Sequence, residues 1–160
     1  MIIVLMGVAG SGKTTVGRLL AERLQWKFYE GDDFHPRENI EKMIRGVPLE
    51  DQDREPWLQA IRNVIRQAVA RSENAVVACS ALKGSYRQFL QFRGEVVFVY
   101  LKADVSLVEE RLHYRTEHFM NPGLIESQFA SLEEPGDVLP FDAALPPEEI
   151  VRSIRDQLSI

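Results

Sequence analysis

Two hydrophobic rhythms alternate along the chain. Runs that are apolar at nearly every position, Ile2 to Met6, Ala75 to Ser80 and Val96 to Leu101, read as strands buried on both faces. Between them the apolar residues recur at helical spacing. Val16, Leu19, Leu20 and Leu24 mark a helix over 13–25, and Trp57, Leu58, Ile61, Val64, Ile65 and Ala68 mark the clearest one, with Pro56 placed where it would begin. Residues 27–31 read as a short strand ending at a glycine, and Pro36 fits the first position of a helix running to about Arg45, where Gly46-Val47-Pro48 stops it. Tyr86 to Leu90 predicts another short helix, and residues 106–116 a further one with Leu107, Val108 and Leu112 inward. The pattern breaks at 117–123, resumes as a helix through Leu132, and closes with a helix from Pro146-Pro147 that keeps Ile150, Val151, Ile154 and Leu158 on one side. Val138 to Asp142 is a weaker strand whose Pro140 suits an edge position.

Five strands alternating with helices predict an α/β fold, a three-layer αβα sandwich around a five-stranded parallel sheet, with residues 1–160 as one domain. Sites in such sheets lie beyond the carboxyl ends of the strands. That rule gathers Gly7 to Thr15, Gly31 to Pro36, Ser80 to Lys83 and Lys102 to Asp104 on one edge.

Composition narrows the partners. The 160 residues are 45% hydrophobic and 27% charged, which excludes a disordered chain. A net charge of −5 argues against non-specific nucleic-acid binding. No apolar run approaches the roughly 18 residues that would span a bilayer. The chain opens directly on a strand-like run, so no signal peptide is expected, and the single Cys79 has no intrachain partner; both fit a cytoplasmic setting.

The chemistry begins at the end of the first strand. Gly7-Val8-Ala9-Gly10-Ser11-Gly12-Lys13-Thr14 fills every position of the phosphate-loop pattern, with a strand before it and a helix after it. Backbone N–H groups can curl round phosphate oxygens where no Cβ obstructs them, and the helix N-terminus adds its positive end. Gly7, Gly10, Ser11, Gly12, Lys13, Thr14 and Thr15 are therefore the candidate ATP-binding set, with Lys13 on the transferring phosphate and the Thr14 hydroxyl on Mg2+.

A phosphate loop does not name a reaction. A guanine-nucleotide switch should carry Asn-Lys-x-Asp and Asp-x-x-Gly, and neither occurs. A small-molecule kinase needs a carboxylate at the acceptor and basic residues that close over the phosphates. Asp32, just past the second strand, is the candidate catalytic carboxylate. Arg111 and Arg115, four apart on one helical face, with His118 beyond, look like a lid over about 112–124. Arg54, Lys83 and Arg87, with Arg37 as a further candidate, form a cationic group that suits a negatively charged acceptor. The acceptor-binding region spans about 35–72. Two alternatives stay open here: a kinase for shikimate or another small hydroxy acid, and a nucleotide-binding regulator.

Several motifs go beyond a generic phosphate loop. Gly31-Asp32-x-x-His35-Pro36-x-x-Asn39-x-x-Lys42-Met43, Pro48-Leu49 with Asp51-x-Asp53-Arg54-x-Pro56-Trp57, and Cys79-Ser80-Ala81-Leu82-Lys83 with Tyr86-Arg87 are similar to bacterial gluconokinases. His118-Phe119 and Gln128-Phe129, with Leu132 to Pro135 close behind, resemble that family's lid and the helix after it. The likeness runs from residue 2 to about 142. It implies a nucleoside-monophosphate-kinase-like fold with a lid, and ATP- and Mg2+-dependent phosphorylation of D-gluconate at its 6-hydroxyl in a cytoplasmic homodimer. It also implies acceptor contacts by His35, His118 and Gln128. Arg111 is implied to lie against adenine, a reading that competes with a phosphate contact; Arg115 and His118 then serve the phosphate side.

Overall fold

The computed structural model describes residues 1–114 and 121–160. Five parallel strands, β1 (Ile2–Met6), β2 (Lys27–Glu30), β3 (Ala75–Ala78), β4 (Val96–Lys102) and β5 (Pro140–Asp142), lie in the order β2-β3-β1-β4-β5. Around them run α1 (Lys13–Leu24), α2 (Arg37–Ile44), α3 (Asp51–Ala70), α4 (Gly84–Leu90), α5 (Val105–His113), α6 (Ile125–Ser131) and α7 (Pro147–Leu158). The three-layer parallel architecture expected from the alternation is the one observed, and β5 with Pro140 takes the edge.

The central strand explains the layering. All five β1 residues are fully buried, and their alternation serves two cores. Ile3 and Leu5 pack with Val16 and Leu20 of α1, Val108 and Leu112 of α5, and Ile150 and Ile154 of α7. Ile2, Val4 and Met6 face Trp57, Ile61 and Ile65 of α3 and Leu90 of α4. A side chain of this size gains about 1.5–3 kcal/mol on full burial, so β1 is the strand whose disruption the fold tolerates least.

Register then sets the site. Leu5 lies beside Ala78 and Glu30 beside Ala78 on the other side, so β1, β3 and β2 end at one edge. Gly7 leaves β1 with φ +146°, and a Cβ there would come within 2.6 Å of the Leu101 carbonyl oxygen, so the turn requires glycine. At Gly31 a Cβ would run into the Ala78 carbonyl, which keeps the turn after β2 tight against β3.

Two boundaries differ from expectation. α3 begins at Asp51 rather than at Pro56, which sits inside the helix. The Glu50 N–H donates to Asp53 Oδ2 at 2.9 Å, half of a capping box that starts the helix earlier than the proline signal suggests. Pro36 is likewise the N-cap of α2 rather than its first residue, after a short 3-10 turn over Gly31–Phe34. The earlier start of α3 matters because it carries Arg54 on the buried face, 7% exposed, beside Trp57.

Candidate active site

The loops at that edge enclose one cleft. It is lined by the phosphate loop (Gly10, Gly12, Lys13, Thr14), by Glu30, Asp32 and His35 after β2, by Arg54 and Trp57 of α3, and by Gln128 of α6. Met43, Pro48, Leu49 and Leu124 form its apolar rim. Part of the phosphate loop, Asp32, His35, Arg54 and Gln128, read from separate motifs, therefore share one cavity.

On the loop side, the Lys13 ammonium donates to the Gly7 and Val8 carbonyls at 3.0 and 2.9 Å, which holds it over the turn. Ser11 is 1% exposed, and its Oγ has no hydrogen-bond partner among the described residues, so a buried hydroxyl sits ready inside the cradle. The Thr14 hydroxyl donates to Glu30 Oε2 at 2.5 Å. Glu30 is a site residue the motif reading missed. It ends β2 opposite the first turn of α1, and burial raises its pKa more than the Thr14 hydrogen bond lowers it. A hydroxyl backed by a carboxylate is a hard oxygen donor set that suits Mg2+ held otherwise by phosphates and water. Thr15 faces a second hollow described below.

Asp32 lies in the 3-10 turn, and burial raises its pKa while the nearby Lys13 ammonium pulls it down. His35 stacks on Trp57 with ring centroids 4.4 Å apart and planes 10° apart. Trp57 is 2% exposed and donates from Nε1 to the Gly31 carbonyl at 2.8 Å, so one ring both fills the core and walls the cleft. Gln128 Oε1 accepts from the Ala9 N–H at 3.2 Å, tying α6 to the phosphate loop.

The cationic group divides. Arg54 lines the cleft, donating to the Tyr86 hydroxyl at 3.0 Å with its guanidinium 5.6 Å from that ring's centre. The Tyr86 hydroxyl in turn donates to Asp51, which pairs with Lys83 at 2.8 Å. Arg87 spends its guanidinium on the carbonyls of Ala81, Leu82 and Glu133. Arg37 points into solvent, its side chain 90% exposed and paired with Glu41 one turn on. Lys83, Arg87 and Arg37 are thus placed off the cleft, because local carbonyls and carboxylates already hold them. Cys79, fully buried after β3, has its thiol pushed up to about 12 by burial and stays protonated.

The second hollow opens behind the loop and is lined by Ser11, Thr15, Arg111, Tyr114, Leu145 and Pro147 among others. The Arg111 guanidinium donates to the Gly10 carbonyl at 3.1 Å and the Ala143 carbonyl at 2.5 Å, which clamps the loop to the chain after β5. Arg115 and His118 lie outside the described residues.

A family model described as Shikimate kinase matches residues 9–135. The chain is 48% identical over 138 residues to the Gluconokinase of Gluconobacter oxydans (strain 621H), covering 84% of this chain and 76% of that one. It is 43% identical over 157 residues to the Thermoresistant gluconokinase of Escherichia coli (strain K12), covering 95% and 90%. Among solved structures, a gluconokinase from Sinorhizobium meliloti 1021 superposes with a TM-score of 0.86 at 46% identity, covering 98% of this chain and 90% of that one. Identity at this level, sustained over most of both chains, makes the chain a member of the gluconokinase family of phosphotransferases.

Proposed function

We propose that the chain transfers the γ-phosphoryl group of ATP to the 6-hydroxyl of D-gluconate, giving 6-phosphogluconate and ADP. The observation that carries this reading is the shared cleft, with Lys13 and Thr14 on one wall and Asp32 and Arg54 on the other. The gluconokinase relatives supply the acceptor's name.

In this reading the loop N–H groups and the Ser11 hydroxyl bind phosphate oxygens, and Lys13 leaves the Gly7 and Val8 carbonyls to reach the transferring group. Thr14 would hold Mg2+ with Glu30 behind it, and the bound ion would neutralise charge that develops on the phosphate oxygens. Asp32 accepts the proton of the 6-hydroxyl. Its raised pKa brings it closer to the operating pH, which favours a general base provided it stays ionised at neutrality. Arg54 takes the acceptor carboxylate, and His35 and Gln128 line the same space. Lys83 and Arg87 act through the frame they hold, while Arg37 has no part in it. Arg111 serves the base side of the nucleotide from the second hollow. We also propose a lid role for the segment 112–124, whose Arg115 and His118 lie outside the described residues, and an acceptor-binding role for residues 35–72 within a single domain.

The reading also includes a cytoplasmic homodimer. Among the described residues no helix is long and apolar enough to cross a membrane, and the lone Cys79 is a free thiol. Light scattering checks the assembly: a mass near twice 18.3 kDa supports a dimer, and 18.3 kDa refutes it. The name of the matched family model favours shikimate as a second acceptor reading. Product analysis separates the two. With ATP and an equimolar mixture of gluconate and shikimate, phosphorus and carbon NMR should show a phosphomonoester on the terminal carbon of gluconate, and an ester on shikimate, or on another carbon of gluconate, would overturn the reading.

A further inference from the structure

Among the polar contacts around the cleft, those of His35 fix more than its position. Its ring plane is set by the stack on Trp57. Its rotation within that plane is set by Asn39, one turn along on α2 and 3% exposed. Asn39 Nδ2 donates to the Asp53 carbonyl at 2.8 Å. A carbonyl can only accept, so this bond identifies which end of the buried amide is nitrogen. The same nitrogen lies 3.3 Å from His35 Nδ1, and its second hydrogen makes Nδ1 an acceptor. A neutral imidazole carries one N–H, which then belongs to Nε2. Nε2 is the ring's remaining polar atom, on a side chain that lines the cleft. Burial and the Arg54 guanidinium push the His35 pKa down to about 4, so the ring is uncharged at neutral pH.

We propose that Asn39 locks His35 in the Nε2–H tautomer, and that His35 thereby reads a hydroxyl of the bound sugar acid as a neutral hydrogen-bond donor, leaving the acceptor's negative charge to Arg54. This rests on the gluconokinase reading for the ligand but not for the tautomer. Asn39 is a positioning residue: it acts through the ring. His35 is the specificity-determining residue, because a site built to donate to a hydroxyl discriminates strongly against an acceptor that lacks it.

Two measurements test the proposal. In protein labelled with nitrogen-15 histidine, long-range proton–nitrogen spectra at pH 7 should show one ring with a pyridine-like Nδ1 and a pyrrole-like Nε2, absent from His35→Phe. A pyrrole-like Nδ1, or two protonated nitrogens, would overturn the lock. In steady-state kinetics, His35→Phe keeps the stack and the volume but loses the donor, and should raise the gluconate KM about tenfold while the ATP KM stays within about twofold. His35→Gln places an amide N–H near the Nε2 position and should restore most of that loss. Asn39→Asp, which accepts from Nδ1–H and so inverts the tautomer, should resemble His35→Phe in KM and show the inverted nitrogen pattern. A wild-type gluconate KM in His35→Phe would refute the hydroxyl-reading role. Should the wild-type enzyme turn over another acceptor and not gluconate, the gluconate reading fails separately. The tautomer spectrum and the same KM comparison on that acceptor then still decide this proposal.

Discussion

Replacing Arg54 with methionine should weaken acceptor binding and leave the fold largely intact. Arg54 is 7% exposed; it donates to the Tyr86 hydroxyl beside that ring's face, and its charge helps hold the Asp51 and Asp53 carboxyls below their usual range after the Lys83 and Lys42 hydrogen bonds. If it binds the acceptor carboxylate, the variant loses a charge-assisted bond of about 1.5–3 kcal/mol, which raises the gluconate KM about tenfold to a hundredfold. The desolvation term has the opposite sign. A buried guanidinium gives up its hydration, and a hydrophobic residue of similar length in such a place is often neutral or stabilising by about 1–4 kcal/mol. Set against this is the cation–π contact with Tyr86, about 1–2 kcal/mol. The net runs from a loss of about 2 kcal/mol to a gain of about 3 kcal/mol, and each kcal/mol moves Tm by about 2–4 °C in a chain of this size. Steady-state kinetics with gluconate varied at saturating ATP, together with a thermal melt of each protein, read both terms. A gluconate KM within about twofold of wild type, or a Tm lowered by more than about 8 °C, would show that Arg54 serves the frame rather than the acceptor.

Other expectations follow from the same geometry. Asp32→Asn should lower kcat at least a hundredfold or so while the ATP dissociation constant, read by calorimetry, stays within about twofold; equal losses in both would make Asp32 a binding residue. Arg37→Ala should leave both KM values and kcat unchanged, since the side chain faces solvent beside Glu41, and a tenfold rise in gluconate KM would place it on the acceptor after all. His35 should make the fold acid-sensitive. Because its folded pKa is about 4 against 6.5 unfolded, the unfolded chain binds the extra proton between those values, and up to about 3 kcal/mol of stability is lost as pH falls through that window. Asp32 and Glu30 act oppositely, since their raised pKa values carry a penalty at neutral pH that is relieved in acid. The difference in urea stability between wild type and His35→Phe, followed from pH 7 to 4, therefore isolates the histidine; parallel curves would refute the shift.

What the chain's pattern revealed, and what it hid, has a physical basis. β1 and β3 stand out as continuous apolar runs because helices cover both their faces, and the loop glycines because backbone packs where a Cβ would sit. Pro56 misled because proline marks a helix start only when nothing upstream caps it, and Glu50 with Asp53 already does. The split of the cations was hidden for another reason. Lys83 finds Asp51, and Arg87 finds the Glu133 carbonyl, across distances along the chain that only the folded path closes. Arg54 alone was carried to the cleft, by the earlier start of α3. Glu30 escaped notice because, as the last residue of a short strand, it shows neither a motif nor a rhythm. Asn39 was visible as part of a motif, yet its role depends on the Asp53 carbonyl that orients its amide.

The phosphate loop and the Asp32–Arg54 wall are proposed as the donor and acceptor halves of one gluconate-phosphorylating site. Its most direct test is kcat/KM by coupled ADP release, measured with ATP and Mg2+ on gluconate, shikimate and nucleoside monophosphates in parallel. Turnover on gluconate should exceed that on every other acceptor by at least a hundredfold or so, since only a hydroxy acid with that chain satisfies Arg54 and Asp32 together. Turnover on another acceptor with none on gluconate would contradict it.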